Sequence, residues 1–478
     1  MKRNETVSPK KAAVIQFVAK YATIVIQLVL TAILARLLTP DQFGEVAIVT
    51  VFTSFFNIFS DMGVGAAIIQ FRQLEQKDFE KLFAFSIVLS TVLTIVFAMM
   101  SYPFALFYSD MGLIPLFLAA TPTLFFNTLN MVPNGLMLRG KRFKAIGLRL
   151  IVTTLISGVV AVFSAALGMG AYALILQTGL SAFSVFIWNF LSLSVRKPNF
   201  HFVEPLKLIF SYSSFQFGFS TINYFSRNLD NLLIGKFFGD VQLGYYDKAY
   251  KLTTYPLSSF TSVVSSIVQP FMAEHQDHKK IIWDFWFRIE KLVSLVGAVI
   301  TAIFVACSRE VVLLFYGSQW SASIPLFTLL AFSVYFQMLG NTSGAFFQSL
   351  GRTDLQFRVG LINTVVTVGC LVLGLCTGKM LYVAALIAAA YIIQIFTTFF
   401  YLIKRAFGGT FSVVVRFIPE IIIAAVAVVV AIFTGSLING GLILQFSIKM
   451  LLVCSIMFIG YLLFGQLKYL LAIIKRKK

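Results

Sequence analysis

Basic side chains set inside long apolar stretches are the residues of this chain best placed to do chemistry, because the bilayer tolerates them only for a purpose. Lys20, Arg227, Lys248, Lys251 and Lys449 all fall in such stretches. Facing lipid near mid-membrane, the five would together cost roughly 12 to 17 kcal/mol. Each must therefore snorkel, pair with an acid, or face water. Lys449 lies near the end of its stretch and is expected to snorkel. Asp247 stands four residues before Lys251 and Arg227 three before Asp230, so local ion pairs are open to both. Lys20 and Lys248 have no equally obvious acidic partner. A wet cavity that keeps uncompensated cations selects an anionic ligand. Lys20, Arg227, Lys248 and Lys251 are its candidate contacts, with the polar neighbours Asn223 and Tyr224.

The elements that position these residues show helical periodicity. Ser213, Gln216, Ser220, Asn223, Arg227 and Asp230 recur at alternating spacings of three and four, which puts them on one face of one helix. Comparable stripes are Gln16, Lys20, Thr23, Gln27 and Thr31; Thr50, Ser54, Asn57 and Asp61; and Asp247, Lys251, Thr254, Ser258 and Ser262. They fall on the expected helices 7, 1, 2 and 8, whereas helices 5, 12 and 13 show no comparable charged stripe. Tyr21, Tyr224, Tyr245, Tyr246, Tyr250 and Tyr255 cluster along the same helices, where their rings can stack on sugars or simply pack.

About fourteen apolar stretches long enough to cross a bilayer fill the chain, beginning near Val14, Phe43, Lys81, Leu113, Ile146, Ala171, Leu208, Leu243, Phe285, Ser321, Phe357, Leu381, Val413 and Ile443. The composition agrees: 59% hydrophobic and only 12% charged residues exclude a soluble domain, where about a quarter are charged. The net charge of +19 accordingly reads as Lys and Arg retained in cytoplasmic loops rather than as a nucleic-acid surface. With both termini cytoplasmic, about four basic residues (Arg36, Lys236, Arg309 and Lys379) lie on the opposite side. Arg139, Lys141, Arg142, Lys144 and Arg149, and the tail Lys475 to Lys478, are expected to anchor that topology. Lys2, Arg3, Lys10 and Lys11 precede a run too long for a signal peptide, which predicts an uncleaved first helix.

Other reactive residue types carry less. Cys307, Cys370, Cys376 and Cys454 lack metal-ligand spacing and are expected to pack. His201, His275 and His278 fall in predicted loops, which argues against a histidine relay in the membrane. Trp188, Trp283, Trp286 and Trp320 sit near predicted span ends and are assigned to the interfacial aromatic belt. No metal is expected.

The segments Arg36 to Gly44 (RLLTPDQFG) and Lys236 to Gly244 (KFFGDVQLG) share a pattern of basic, two apolar, turn, Gln, apolar and Gly. Six helices separate the copies, and an even number restores direction through the membrane, so the halves are expected to be parallel repeats. The resulting plan is all-α: a six-helix bundle over residues 1–194, a cytoplasmic linker over 195–206, a second six-helix bundle over 207–405, and two further helices with a basic tail over 406–478. The four polar stripes would then line a central cavity. A cationic cleft of that kind would lower the barrier for a phosphate or diphosphate carried on a lipid, which cannot cross hydrocarbon unaided.

The stretches ARLLTPDQFGEVAI (Ala35 to Ile48), SDMGVGAAIIQ (Ser60 to Gln70) and IGKFFGDVQLGYYDKAYKL (Ile234 to Leu252) resemble the Wzx-type polysaccharide transporters of the multidrug/oligosaccharidyl-lipid/polysaccharide exporter superfamily. The resemblance spans essentially the whole chain in helix count and spacing. It implies a flippase that moves an undecaprenyl-diphosphate-linked oligosaccharide from the cytoplasmic to the periplasmic leaflet of a bacterial inner membrane by alternating access, for capsule, exopolysaccharide or O-antigen synthesis. No cofactor is implied beyond coupling to a proton or sodium gradient, for which Asp61, Asp230 and Asp247 are the candidate carboxylates. Expected partners are the lipid-linked glycan, membrane lipids and other polysaccharide-assembly proteins, and no nucleic acid. Arg36, Pro40 and Gly44 are expected to shape the turn between helices 1 and 2.

Two other readings compete. A drug or organic-cation antiporter of the same fold should line its cavity with carboxylates and aromatics rather than excess lysine and arginine. A polysaccharide-assembly enzyme needs an extramembrane loop able to hold acids, bases or a metal, and the predicted periplasmic loops are short and poor in acids. The chain also has no nucleophile elbow or phosphate-binding glycine loop.

Overall fold

A computed structural model of the chain describes residues 9–61, 64–71, 73–192, 198–273, 278–437 and 440–466. Within these stretches the side chains of residues 9–14, 61, 66, 70, 208–216, 218–220, 222, 223, 225–227, 259–271, 273 and 436 lie outside the description. The described chain is all-α. In order, the helices are α1 (Pro9–Leu37), α2 (Pro40–Asp61), α3 (Val64–Gln70), α4 (Gln76–Tyr108), α5 (Leu113–Leu129), α6 (Met131–Arg139), α7 (Phe143–Ala166) and α8 (Ala171–Leu191). They continue with α9 (Val203–Ala273), α10 (Lys279–Ala306), α11 (Ser308–Tyr316), α12 (Ser323–Ser349), α13 (Thr353–Cys376), α14 (Met380–Phe399), α15 (Ile418–Leu437) and α16 (Leu442–Leu463). A π-helical turn (Phe400–Phe407) extends α14, and a 3₁₀ segment (Phe411–Phe417) leads into α15.

Twelve helical segments among the described residues are long and apolar enough to cross a membrane. The seventh and eighth expected spans lie in α9, which is two helices broken at Gly239, where φ is 80° and ψ 176°. The protein is thus a multi-pass membrane protein. Helices begin earlier than hydropathy alone indicates, α10 at Lys279 rather than Phe285 and α4 at Gln76 rather than Lys81, because polar first turns continue the helix beyond its apolar run. The short helices α3, α6 and α11 were not expected.

The chain divides into two compact units, Met1–Gly244 and Tyr245–Lys478, with α9 contributing to both. In the first unit α1 packs on α7, α7 on α8, α8 on α5, and α5 on α4 and α2. Small residues set some of these distances: a Cβ on Gly147 of α7 would lie 3.1 Å from Cβ of Ala19 in α1. An aromatic cluster of Phe52, Phe56, Phe97, Phe104 and Phe117 fills the space among α2, α4 and α5. In the second unit α10 packs against α12, α15 and α16, while α14 packs against α12 and α13. Large apolar side chains cover the outside, among them Met99, Phe163, Leu167, Phe433 and Leu463. This outward apolar surface is what hydrocarbon as a solvent favours.

Several basic residues have different surroundings from those expected of them. Arg149 is not an interfacial anchor: it is 7% exposed, and its Nη1 donates to Asn189 Oδ1 at 2.6 Å and Asn134 Oδ1 at 3.3 Å. Asn189 in turn donates to Asn130 Oδ1 at 2.8 Å, so one guanidinium joins α6, α7 and α8. Arg139 donates to the carbonyl oxygens of Ile68, Phe71 and Leu74, closing the end of α3. Both Arg149 bonds leave Nη1, one bond further from the backbone than a lysine ammonium can reach. Arg149→Lys is therefore expected to cost about 1–3 kcal/mol, read as a lowered thermal midpoint of the purified protein. A midpoint equal to that of the wild type would rule the bridge out as a stabilising element.

Trp286 and Trp320 also depart from the aromatic belt. Both are fully buried, Trp286 against Trp283, Phe399 and Phe407, and Trp320 against Tyr245 and Tyr316. Hydropathy places a tryptophan near a span end but says nothing of the neighbour that covers it. Trp188 and Trp283 are partly exposed. The four cysteines are free thiols, with Cys307 buried. His201 and His278 lie outside the twelve spans, while His275, Lys2, Arg3 and the tail Lys475 to Lys478 lie outside the described residues. At the foot of α9, Lys81 and Glu204 pair at 2.8 Å, and the ammonium holds the exposed Glu204 carboxyl below its usual range.

Candidate functional site

The two copies of the repeated turn meet each other, and both copies lie in the first unit. The first copy opens α2 with reciprocal bonds, Thr39 N–H to Gln42 Oε1 at 3.1 Å and Gln42 N–H to Thr39 Oγ1 at 3.4 Å. At the corresponding position of the second copy stands Gly239, whose positive φ suits a residue without Cβ. A Cβ on Gly44 would lie 1.9 Å from the Asp240 carbonyl oxygen, and a Cβ on Gly244 would lie 2.1 Å from the Pro40 carbonyl oxygen. Residues 40 and 240, like 44 and 244, are equivalent in the repeat, so the contact is reciprocal. Each glycine lets the other copy's backbone approach.

Carboxylates surround this crossing. Asp41, Glu45 and Asp240 each bring an oxygen within 4.8 Å of the others, and Asp110 adds a further charge nearby. When all are ionised they repel one another. Tyr108 Oη donates to the Leu232 carbonyl at 3.1 Å, and the Lys236 ammonium donates to the Phe107 carbonyl, so the end of α4 is tied to the same turn.

Of the candidate ligand contacts in the first unit, Lys20 is exposed on α1, one residue before Tyr21, whose ring lies 4.4 Å from that of Phe17. Tyr224 Oη donates to the Val51 carbonyl of α2, and its ring centroid lies 5.8 Å from that of Phe55. The Asp230 carboxylate accepts the Asn231 N–H at 2.8 Å. Asn57 accepts from Asn127 at 3.2 Å, linking the α2 stripe to α5. Arg227, Asn223 and Asp61 lie in helices, but their side chains lie outside the described residues.

In the second unit one turn of α9 carries Asp247, Lys248 and Lys251. Lys251 Nζ lies 2.7 Å from Asp247 Oδ2, with the lysine side chain 50% exposed and the aspartate 7%. Lys248 is 3% exposed and lies in the field of both. This turn thus carries two lysines and one aspartate, the aspartate paired with Lys251. Tyrosines border it: Tyr246 stacks on Tyr250 at 5.9 Å, and Tyr250 Oη meets Tyr391 Oη of α14 at 3.1 Å. The spacing of Asp247 and Lys251 was legible as an ion pair in the sequence. The tyrosine contact with α14 was not.

Other buried charges escaped the sequence reading. Lys449 does not snorkel: its Nζ lies 2.7 Å from Glu310 Oε1, an acid 139 residues away on α11. Lys291 of α10 and Glu420 of α15, 1% and 0% exposed, form an ion pair, and Lys291 also donates to the Arg416 carbonyl. Glu290, next to Lys291, is fully buried and accepts from the Thr342 hydroxyl of α12. The fifth and thirteenth expected spans, α7 and α15, which lack a charged stripe, thus hold the buried charges Arg149 and Glu420. An isolated charge leaves no periodic signal, and an interfacial loop and a buried helix start look alike in one dimension.

An all-α array of membrane-crossing helices, with buried charges spread over several of them, defines a multi-pass membrane protein. Residues 33–325 match the family described as polysaccharide biosynthesis protein, and the chain belongs to that family. It is 25% identical over 343 residues to the teichuronic acid biosynthesis protein TuaB of Bacillus subtilis (strain 168), covering 70% of this chain and 69% of that one. It is 22% identical over 419 residues to the lipopolysaccharide biosynthesis protein WzxC of Escherichia coli (strain K12), covering 86% and 83%. Its fold is that of the lipid II flippase MurJ in its inward closed conformation, with a TM-score of 0.75 at 13% identity over 94% of this chain and 98% of that one. An inward-facing multidrug-resistance MATE transporter also shares the fold, with a TM-score of 0.60 at 17% identity over 79% and 93%. The chain is thus a multi-pass membrane protein of a polysaccharide-biosynthesis family, with a fold shared by flippase and multidrug-transporter structures.

Proposed function

We propose that this protein flips an undecaprenyl-diphosphate-linked oligosaccharide from the cytoplasmic to the periplasmic leaflet of the bacterial inner membrane by alternating access, with both termini cytoplasmic. The product would feed capsule, exopolysaccharide or O-antigen assembly. The observation that carries this reading is the turn of α9 that carries two lysines, Lys248 and Lys251, beside one aspartate, Asp247, which pairs with Lys251. An anionic diphosphate or acidic sugar suits such a turn, whereas an organic cation is repelled by it. The bordering tyrosines offer ring faces and hydroxyls to sugars. The relatives named for teichuronic acid and lipopolysaccharide synthesis support a polyanionic or lipid-linked cargo.

In this reading Lys20, Arg227, Asn223 and Tyr224 complete the contacts to the head group. The flippase is coupled to a proton or sodium gradient, with Asp61, Asp230 and Asp247 as candidate carboxylates, and it works beside other polysaccharide-assembly proteins. The 200-residue offset of the repeat supports bundles over 1–194 and 207–405, a linker over 195–206, and two added helices over 406–478.

Deleting the protein should leave lipid-linked oligosaccharide accumulated on the cytoplasmic face, and the intact chain should clear it. Losing one charge-assisted contact of about 1.5–3 kcal/mol corresponds to roughly ten- to hundredfold slower transfer for Lys248→Gln. The more exposed Lys251→Gln serves as a second variant at normal abundance. Clearance at the wild-type rate by both would remove the cationic turn from the mechanism. Absence of accumulation on deletion would remove the flippase itself.

A further inference from the structure

Glu290 lies deep in the second unit, 0% exposed, and no part of the proposed transport path uses it. Its Oε1 accepts the Thr342 hydroxyl of α12, while its Oε2 has no hydrogen-bond partner among the described residues. The Trp286 indole lies beside the same carboxylate without reaching hydrogen-bond geometry, and its N–H is also unsatisfied. One turn further along α10, Ser294 Oγ meets Tyr335 Oη at 2.8 Å, and that hydroxyl reaches the Phe417 carbonyl at 3.2 Å.

The charged groups packed around this point do not neutralise it. Lys291, the adjacent residue on α10, is held by Glu420 of α15 and the Arg416 carbonyl. From α12 come the hydroxyls of Tyr335 and Thr342, and from α16 comes Tyr461, whose hydroxyl is given to the Leu295 carbonyl at 2.7 Å. Among the described residues the buried cation Lys291 is thus committed to Glu420, the exposed Arg416 guanidinium stacks on Phe287 of α10, and Glu290 has no ion-pair partner. A carboxylate in a low-dielectric interior is costly unless its charge is matched.

We propose that Glu290 is a buried binding site for a monovalent cation, a proton or an alkali ion, that completes this charge balance. Thr342 is its positioning residue, and the Ser294–Tyr335 hydroxyl pair is the polar ladder that flanks it. Binding here adjusts the packing of α10 against α12 and α15. The site stands apart from the lysine turn of α9 and does not depend on which cargo is carried.

The test follows thermal unfolding of the full chain in lipid nanodiscs, first from about pH 5.5 to about pH 8.5 in choline chloride, then at the alkaline end with sodium replacing choline. The wild-type midpoint should fall by about 5 °C as protons are withdrawn, and Glu290→Gln should remove that part of the fall. Recovery of the wild-type midpoint on adding sodium identifies an alkali ion as the occupant, and no recovery identifies the proton. Thr342→Val retains the carboxylate and should displace the fall along the pH axis. Identical curves for wild type and Glu290→Gln would overturn the site. If Glu290→Gln fails to fold, an undisplaced curve for Thr342→Val would overturn it. Neither measurement involves the glycan, so their failure is separate from failure of the flippase reading.

Discussion

Gly44→Ala is expected to cut polysaccharide export several-fold or more in a deletion strain, and Gly244→Ala to do the same. The added methyl carbon would sit 1.9 Å from the Asp240 carbonyl oxygen in the first case and 2.1 Å from the Pro40 carbonyl oxygen in the second. Both obstacles are backbone atoms, so no rotamer change relieves the overlap and the two turns must separate. Overpacking of this kind costs about 1–3 kcal/mol, enough to change abundance or the population of the joined arrangement several-fold. Because the two glycines serve one crossing, the second replacement should add less than the first. Export and membrane abundance measured together check this. Full export at normal abundance from both single variants would refute the requirement for the close approach.

Breaking the ion pair of Lys291 and Glu420 should produce the largest loss of stability of any single-charge change considered. Lys291→Met leaves a carboxylate, and Glu420→Gln leaves an ammonium, in a site where the partners are 1% and 0% exposed. An orphaned buried charge typically costs about 3–5 kcal/mol, whereas replacing both members of a pair is often near neutral. The double variant Lys291→Met with Glu420→Gln should therefore recover most of what either single variant loses. Thermal midpoints of the four proteins form the cycle. Additive losses would mean that the two charges do not stabilise each other.

Legibility differed by element for physical reasons. The membrane spans were readable because each must bury its own backbone hydrogen bonds and show apolar side chains to lipid, a requirement that composition alone records. The break in α9 was readable too, since the turn KFFGDVQLG supplies a glycine where φ must be positive. Helix starts were displaced because polar first turns carry no hydropathy. The ion pair of Asp247 and Lys251 was open to sequence because one helical turn fixes its spacing. The pair of Glu310 and Lys449 was closed to it because 139 residues separate its members. Separation in sequence likewise hid Lys291 from Glu420 and, over 40 residues, Arg149 from Asn189.

The sequence by itself determined a multi-pass helical membrane protein, a repeated turn and a set of lysines that hydrocarbon would not tolerate unpartnered. These follow from local rules: apolar length, helical period and the conformational freedom of glycine. Only the tertiary structure decided which charges are neutralised and by what. It showed the two repeated turns seated on each other through Gly44 and Gly244, placed Trp286 in a core rather than at an interface, and left Glu290 with half its carboxylate unsatisfied. A charge in low dielectric is governed by the few groups within several ångströms of it, and in this fold those groups come from helices far apart in the chain.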